Sequence, residues 1–250
     1  MENENVICHA VCAQSAVAMR SEPSHRSEMV SQLLFNETCA VTVVQGEWSR
    51  IVVAHDGYEG WVVSAQLKAI DRAVYDELNA KKPCFVDEAV VNHDGLYLTL
   101  GTPLHEPTHS KAAPDVFSAD VMIENAYKLL GTPYLWGGRT LMGIDCSGFV
   151  QICARMAGLA LPRDASQQVN CGETVYFVQE ACPGDLAFFS NESGSIVHVG
   201  IVLADEKIIH ASGKVRIDSL DNEGVFNAEL RKHTHHLTVI KRLIHQNMQK

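Results

Sequence analysis

Residues 143–151 read GIDCSGFVQ, which sets Cys146 between Asp145 and Ser147 with glycines at 143 and 148. Phe149, Val150, Cys153 and Met156 follow at helical spacing, and Gly158 and Pro162 stop the pattern, so a helix starts near Asp145. Cys146 therefore lies in a first helical turn, and two readings are open. It is a core thiol, since Cys153 sits seven residues on along the same face and free cysteine is commonly buried. Alternatively it is a nucleophile, because unpaired N–H groups and the helix dipole at this end lower a thiol's pKa and stabilise an oxyanion on a substrate carbonyl. The flanking glycines leave room for a substrate backbone only in the second reading.

Outward from this helix the elements fall into an order. Upstream, Ser118 caps a helix carrying Val121, Met122, Ala126, Leu129 and Leu130 on one face, ended by Gly131 and Pro133. Downstream come only strand signals, at 185–189, 196–203, 207–211, 214–217 and 237–244. Helices followed by an antiparallel sheet predict an α+β domain over 115–250. Residues 1–70 differ in texture, with five short β-rich runs between turn signals such as His55-Asp-Gly57, which predict a small all-β barrel. Between them, 71–114 holds a short helix near 71–79, a hairpin around Asn92-His-Asp-Gly95, and a linker from Thr102 bearing Pro103, Pro107 and Pro114.

Composition bounds the function. A chain of 250 residues, 46% hydrophobic, is long enough for two cores. Its net charge of −10 and pI near 5.6, with no local basic run, exclude a nucleic-acid partner. No apolar stretch is long enough for membrane insertion, and the N-terminus lacks the basic region of a signal peptide, so a soluble, cytoplasmic protein is expected. Eight cysteines without a C-x-x-C pair fit a reducing compartment. Cys8-His9 with Cys12, and His233 with His235 and His236, are metal-like clusters, but neither completes a four-ligand set, and no metal or cofactor is expected.

A cysteine nucleophile needs a base. Most histidines fall in loops, but His198 lies inside the run 196–203 and His210 ends the run 207–210. A hairpin turning through Ala204-Asp-Glu206 pairs residues summing to 410; one centred on Ala204 pairs residues summing to 408. Either even sum keeps both imidazoles on one face, whereas an odd one separates them. The arrangement reads as Cys146 attacking, His198 as base and His210 orienting it.

The words Gly131-Thr-Pro-Tyr-Leu-Trp-Gly-Gly138, Asp145-Cys-Ser-Gly-Phe149, Leu161-Pro-Arg-Asp-Ala-Ser-Gln-Gln168, Pro183-Gly-Asp-Leu-Ala-Phe-Phe189, His198-Val-Gly-Ile201 and Ile209-His-Ala-Ser-Gly213 occur in one order. In this, residues 115–250 resemble the NlpC-type, papain-like cysteine peptidases that cut bacterial cell-wall peptides. The resemblance implies the same triad and a Tyr134 lining the site. Residues 16–67, with Met19-Arg-Ser-Glu-Pro-Ser24 and Asp56-Gly-Tyr-Glu-Gly-Trp-Val62, resemble the bacterial SH3-like barrel of γ-D-glutamyl-L-diamino-acid endopeptidases of the dipeptidyl-peptidase VI type. On that pattern 80–105 is a candidate reduced second barrel. The substrate implied is a murein-derived peptide, L-Ala-γ-D-Glu-diamino acid, with a free N-terminal amine, met during cell-wall peptide recycling.

An enclosed ammonium needs acidic partners. Asp145 and Glu28 are the candidates, with Asp145 equally placed to cap its helix. Tyr58 follows from the subgroup pattern, and Ser147 either contacts peptide or merely occupies the second helical position. Trp48 and Trp61 are expected in the barrel core, and Trp136 beneath the active-site loop. A murein amidase or acyltransferase on the same fold, and a catalytically inert wall-peptide-binding protein, are the competing readings.

Overall fold

The computed structural model describes residues 6–106 and 108–243. Pro107, the N-terminal residues 1–5 and the expected strand end at Ile244 lie outside these. The chain forms two compact units, one of residues 1–113 with 136–141 and one of 114–135 with 142–250.

The first unit is built on seven strands: β1 (Cys8–Cys12), β2 (Ala16–Arg20), β3 (Met29–Leu34), β4 (Thr38–Gln45), β5 (Trp48–Val53), β6 (Glu59–Val63) and β7 (Leu67–Ile70). They hydrogen-bond in the order β3-β2-β6-β5-β4-β1-β7 around a core of Val17, Met19, Leu33, Ile51 and Val62. Among the described residues no ladder joins β3 to β7, so the hydrogen bonding does not close into the expected barrel. Strand β1 falls on the Cys8-His9-Cys12 cluster, where the alternation that buries Ala10 and Cys12 escapes a reading based on metal ligands.

Helix α1 (Arg72–Ala80) follows, then β8 (Cys84–Val86), β9 (Val90–His93), β10 (Leu96–Thr99) and β11 (Ser110–Ala112). The expected hairpin around Asn92-His-Asp-Gly95 is formed by β9 and β10. The β9–β10 loop is Asp94-Gly95 with φ of 48° and 84°, a type I′ turn for which Gly is suited. The expected linker contributes β11, which pairs with β8. The unit also holds the short strand β12 (Arg139–Thr140), whose Arg139 guanidinium makes two hydrogen bonds, of 2.8 and 3.0 Å, to the buried Glu37 carboxylate.

The second unit opens with α2 (Ala119–Lys128), whose Ser118 cap accepts a hydrogen bond from the Val121 amide. Strand β13 (Gly143–Ile144) leads into α3 (Cys146–Met156) and then α4 (Ala165–Gln168). Seven strands follow: β14 (Glu173–Val175), β15 (Leu186–Ser190), β16 (Ile196–Leu203), β17 (Lys207–Ser212), β18 (Lys214–Leu220), β19 (Gly224–Asn227) and β20 (Lys232–Arg242). Their order is β14-β20-β15-β16-β17-β18-β19, and β19 also pairs with β20. That extra pairing closes β15 to β20, the expected antiparallel sheet, into a barrel. Closure leaves these strands no free edge and fixes their mutual register.

Helix α3 packs on β16 and β17, and every residue from Cys146 to Ala154 is buried. A helix buried all round is a core helix. Full burial of Phe149 and Ile152 contributes roughly 1.5–3 kcal/mol per side chain. The helix that presents the cysteine is therefore anchored by the core itself. Among the described residues no helix is long and apolar enough to cross a membrane.

Candidate active site

Asp145 is the N-cap of α3, its Oδ1 accepting the Gly148 amide hydrogen at 2.7 Å. The same carboxylate takes both terminal nitrogens of buried Arg163, Nη1 at 3.0 Å and Nη2 at 2.6 Å. Ser147 Oγ accepts from Arg163 Nη1 at 2.9 Å and donates to Asp145 Oδ1. Gln168 ties the turn down through its amide, which donates to the Ser147 and Pro162 carbonyls. Asp145 and Ser147 thus stand in a buried network that fixes the helix tip. A guanidinium–carboxylate pair out of water is tolerable only when so fully engaged. Arg163 and Gln168 lie in the quoted 161–168 stretch, yet their role was not read from it.

Cys146, the first residue of α3, is 5% exposed. Backbone groups of Val199 and Ser147 hydrogen-bond its sulfur and favour the thiolate. Burial outweighs them and, with the Asp145 charge, pushes the thiol up to about 12. The expectation of a lowered thiol is thereby corrected, since a helix terminus cannot offset desolvation beside a carboxylate. Gly143 is also reassigned, for a Cβ there would lie 2.5 Å from Leu135 Cβ, so the glycine accommodates a packed side chain. Tyr134 forms a parallel bridge with Ile144 on the approach to the cysteine. Burial, then the Cys146 and Asp145 charges, raise its pKa, so it stays a phenol and a hydrogen-bond donor.

The histidines come from the β16–β17 hairpin, where Gly200 pairs with His210, the register summing to 410. A Cβ on Gly200 would come 2.8 Å from His210 Cβ, so the glycine makes room for that side chain on the shared face. His198 and His210 are buried, and His198 Nε2 lies 2.8 Å from His210 Nδ1. His210 Nε2 lies 3.1 Å from Asp218 Oδ2 on β18, and Arg216 Nη2 donates to the other Asp218 oxygen at 3.0 Å. Burial alone would raise Asp218, but the His210 and Arg216 hydrogen bonds hold it below the usual carboxylate value. A carboxylate accepts only, so His210 carries its hydrogen on Nε2 and accepts at Nδ1. His198 then donates from Nε2, which leaves its Nδ1 as the basic nitrogen. Burial, followed by His235 and His210, drives His198 well below its ordinary pKa, which keeps the ring neutral.

Asp218 and His235 were missed by the sequence reading. His235, on β20, stacks on His198 with ring centroids 4.1 Å apart. One ligand atom each from His198, His210 and His235 lie within 4.8 Å of one another, the one such metal-capable trio among the described residues. The sequence clusters at Cys8–Cys12 and 233–236 do not assemble as trios, and His233 pairs instead with Asp221.

The remaining sequence candidates lie in the first unit. Glu28 accepts the Trp136 indole N–H at 2.6 Å, and Tyr58 packs against the β-domain core. Trp136 is 58% exposed, not packed beneath a loop as expected, with its indole N–H donated to Glu28. Trp48 is buried.

A buried cysteine on a helix tip beside a strand carrying a polarised histidine pair is the arrangement of a thiol hydrolase. Residues 131–234 match the NlpC/P60 family and residues 19–67 the bacterial dipeptidyl-peptidase Sh3 domain. The chain is 30% identical over 212 residues to the γ-D-glutamyl-L-lysine dipeptidyl-peptidase of Bacillus subtilis strain 168, covering 72% of this chain and 71% of that one. A protein of the same description from Bacillus cereus ATCC 10987 is 25% identical over 248 residues, 80% of this chain and 73% of that one. The crystal structure of an NlpC/P60 family protein from Bacillus cereus ATCC 10987 shares the fold, with a TM-score of 0.77 at 20% identity over 94% of this chain and 99% of that one. The chain belongs to the NlpC/P60 family and is a cysteine endopeptidase with an N-terminal SH3-like domain.

Proposed function

We propose that this peptidase hydrolyses the amide between the γ-carboxyl of D-glutamate and an L-diamino acid in murein peptides bearing a free N-terminal L-alanine. The observation that carries the reading is the hydrogen-bonded chain from His198 through His210 to Asp218, on the strand whose Val199 backbone meets the Cys146 sulfur. The similarity to the γ-D-glutamyl-L-lysine dipeptidyl-peptidase of Bacillus subtilis supports the bond chosen.

In the resting site both partners are neutral, a thiol and an imidazole. Proton transfer from Cys146 to His198 Nδ1 accompanies attack on the carbonyl, so no buried ion pair stands at rest. The imidazolium formed at His198 is stabilised through His210 by the Asp218 charge. First-turn amides of α3 and the Tyr134 hydroxyl are donors suited to the developing oxyanion. His198 returns the proton to the leaving amine, and water resolves the thioester. Neither a metal nor an organic cofactor enters these steps.

Asp145 and Glu28 are the proposed carboxylates for the substrate ammonium, and Ser147 and Tyr58 the proposed further contacts, on the family pattern. The Arg163 pairing makes Asp145 the weaker of the two, since its charge is already matched. Recycling of released wall peptides is the proposed setting.

Mass spectrometry of digests tests the reading, with L-Ala-γ-D-Glu-diaminopimelate beside its N-acetylated form. Release of L-Ala-D-Glu from the free peptide alone is expected, and Cys146→Ala abolishes it. Equal cleavage of both peptides would remove the amine requirement, and release of peptide from muramoyl substrates instead would identify an amidase.

A further inference from the structure

We propose that His198, His210 and His235 form a binding site for a borderline d-block dication such as Zn2+ or Cu2+, and that its occupancy silences the peptidase. Binding stands on the geometry alone, whereas the silencing rests on the proposed role of His198 as base.

The three rings come from β16, β17 and β20, three strands of the closed barrel, and each brings a nitrogen within 4.8 Å of the other two. Nitrogens bound at about 2.0–2.1 Å around a tetrahedral ion lie roughly 3.4 Å apart, so small side-chain rotations suffice. An all-imidazole donor set suits Zn2+ and Cu2+ and discriminates against Mg2+ and Ca2+, which take oxygen.

The far side of two rings is already arranged for ligation. His210 gives its Nε2 hydrogen to Asp218, leaving Nδ1 as a lone pair backed by a carboxylate. Thr234 Oγ1 lies 2.9 Å from His235 Nδ1 and donates its own hydrogen to the Val225 carbonyl. The hydroxyl therefore accepts from Nδ1–H, and His235 Nε2 is left as a lone pair. Ligating histidines are held in this way by second partners, which fix tautomer and ring orientation.

Only His198 must change. Without the ion its Nε2 hydrogen is shared with His210 Nδ1. On binding, the aquated ion sheds all but one of its waters as three nitrogen–metal bonds form, and the His198 hydrogen moves from Nε2 to Nδ1 with no net proton release. Nδ1 is the nitrogen that must take the proton of Cys146, so the ion removes the base by switching its tautomer. A fourth, aqua ligand completes the ion.

Calorimetric titration of Zn2+ into the full chain, run beside the tripeptide assay, tests this with wild type, Cys146→Ala, His235→Phe and Thr234→Val. A binding event is expected in wild type and in Cys146→Ala. It weakens by about tenfold or more in His235→Phe and in Thr234→Val, the second variant keeping all three rings. Zn2+ inhibition of wild type is reversed by a chelator. His235→Phe needs correspondingly more Zn2+ for half-inhibition, each variant being read against its own metal-free rate. Wild-type affinity in both His235→Phe and Thr234→Val, loss of the event in Cys146→Ala, or equal binding of Mg2+ would overturn the site. Zn2+ bound as expected with full turnover would overturn the silencing. If no preparation cleaves the tripeptide, calorimetry still decides the site while the proposed function fails separately.

Discussion

Replacing Asp218 by Asn keeps shape and removes one charge from the far end of the histidine chain. Arg216 is held from two sides, by Glu229 at 3.2 Å and by Asp218 Oδ1 at 3.0 Å. Arg216 Nε also lies 2.8 Å from Oδ2 but is not aligned to hydrogen-bond it, so the Nη2 hydrogen bond claims the amide oxygen and the new NH2 faces His210 Nε2. His210 must then accept at Nε2 and donate from Nδ1, and His198 must accept at Nε2 and carry its hydrogen on Nδ1. The base loses its lone pair toward Cys146.

Two magnitudes bound the effect. The His198 and His210 ring centroids are 5.1 Å apart, and Asp218 lies 3.1 Å beyond His210 Nε2. Over roughly 8 Å at an effective dielectric near 20, Coulomb's law gives about 2 kcal/mol for the lost stabilisation of the imidazolium, a factor of about 30. A wrong tautomer in a comparable triad costs about 10⁴. Asp218→Asn should therefore lower kcat by about 30-fold to 10⁴-fold with little change in KM, read by mass spectrometry of the tripeptide digest. Circular dichroism would report an intact fold. A kcat within about threefold of wild type would refute the tautomer argument.

Gly200→Ala forces a methyl against His210 Cβ and Ile208, at 2.8 and 2.7 Å, and should cost about 1–3 kcal/mol in urea denaturation along with most activity. Arg163→Met leaves the Asp145 carboxylate buried without its cation, and a loss of about 3–5 kcal/mol in the same assay is expected. The acid limb of kcat/KM should lie below pH 6.5, because His198 is held neutral, and the rate should stay level through pH 9, below the raised Cys146 pKa of about 12; an alkaline limb near 9 would contradict this. Stability has two limbs as well. His198 and His235 are lowered on folding, so the unfolded chain binds more protons and stability falls as pH drops below 6.5; Cys12, Cys39 and Cys146 are raised, so the unfolded chain releases protons first and stability falls as pH rises past 9. Thermal melts across that range would check both signs.

What could be read in the sequence was whatever local periodicity or a parity argument fixes. The helix-tip cysteine follows from the spacing of Phe149, Val150, Cys153 and Met156, and the shared face of His198 and His210 from the even register that Gly200 and His210 realise. Asp218 was not legible, because the strand was expected to stop at Ile217 whereas β18 continues to Leu220. His235 was grouped with its chain neighbours, since nothing local reveals that β19 pairs with both β18 and β20 and closes the barrel. Arg163 was visible as a letter, but the salt bridge it makes crosses 18 residues of chain. Long-range pairing of polar groups is set by topology, to which single-element periodicity is blind.

That blindness falls where the electrostatics are decided. Cys146 and His198 by themselves are two desolvated groups whose neutral forms are favoured, and a buried pair of this kind has no reason to exchange a proton. The means to stabilise the imidazolium enters through β18, as the Asp218 charge at the end of a relay whose every tautomer is forced by its neighbour. Arg216 pairs with both Asp218 oxygens and so holds the carboxylate in place at the end of the relay. Because the strands that carry these groups belong to one closed barrel, their spacing does not relax when one side chain is changed. The same rigidity that makes the relay directional leaves His235 permanently stacked over its first member, and a metal ion would exploit that fixed spacing by reversing a single tautomer.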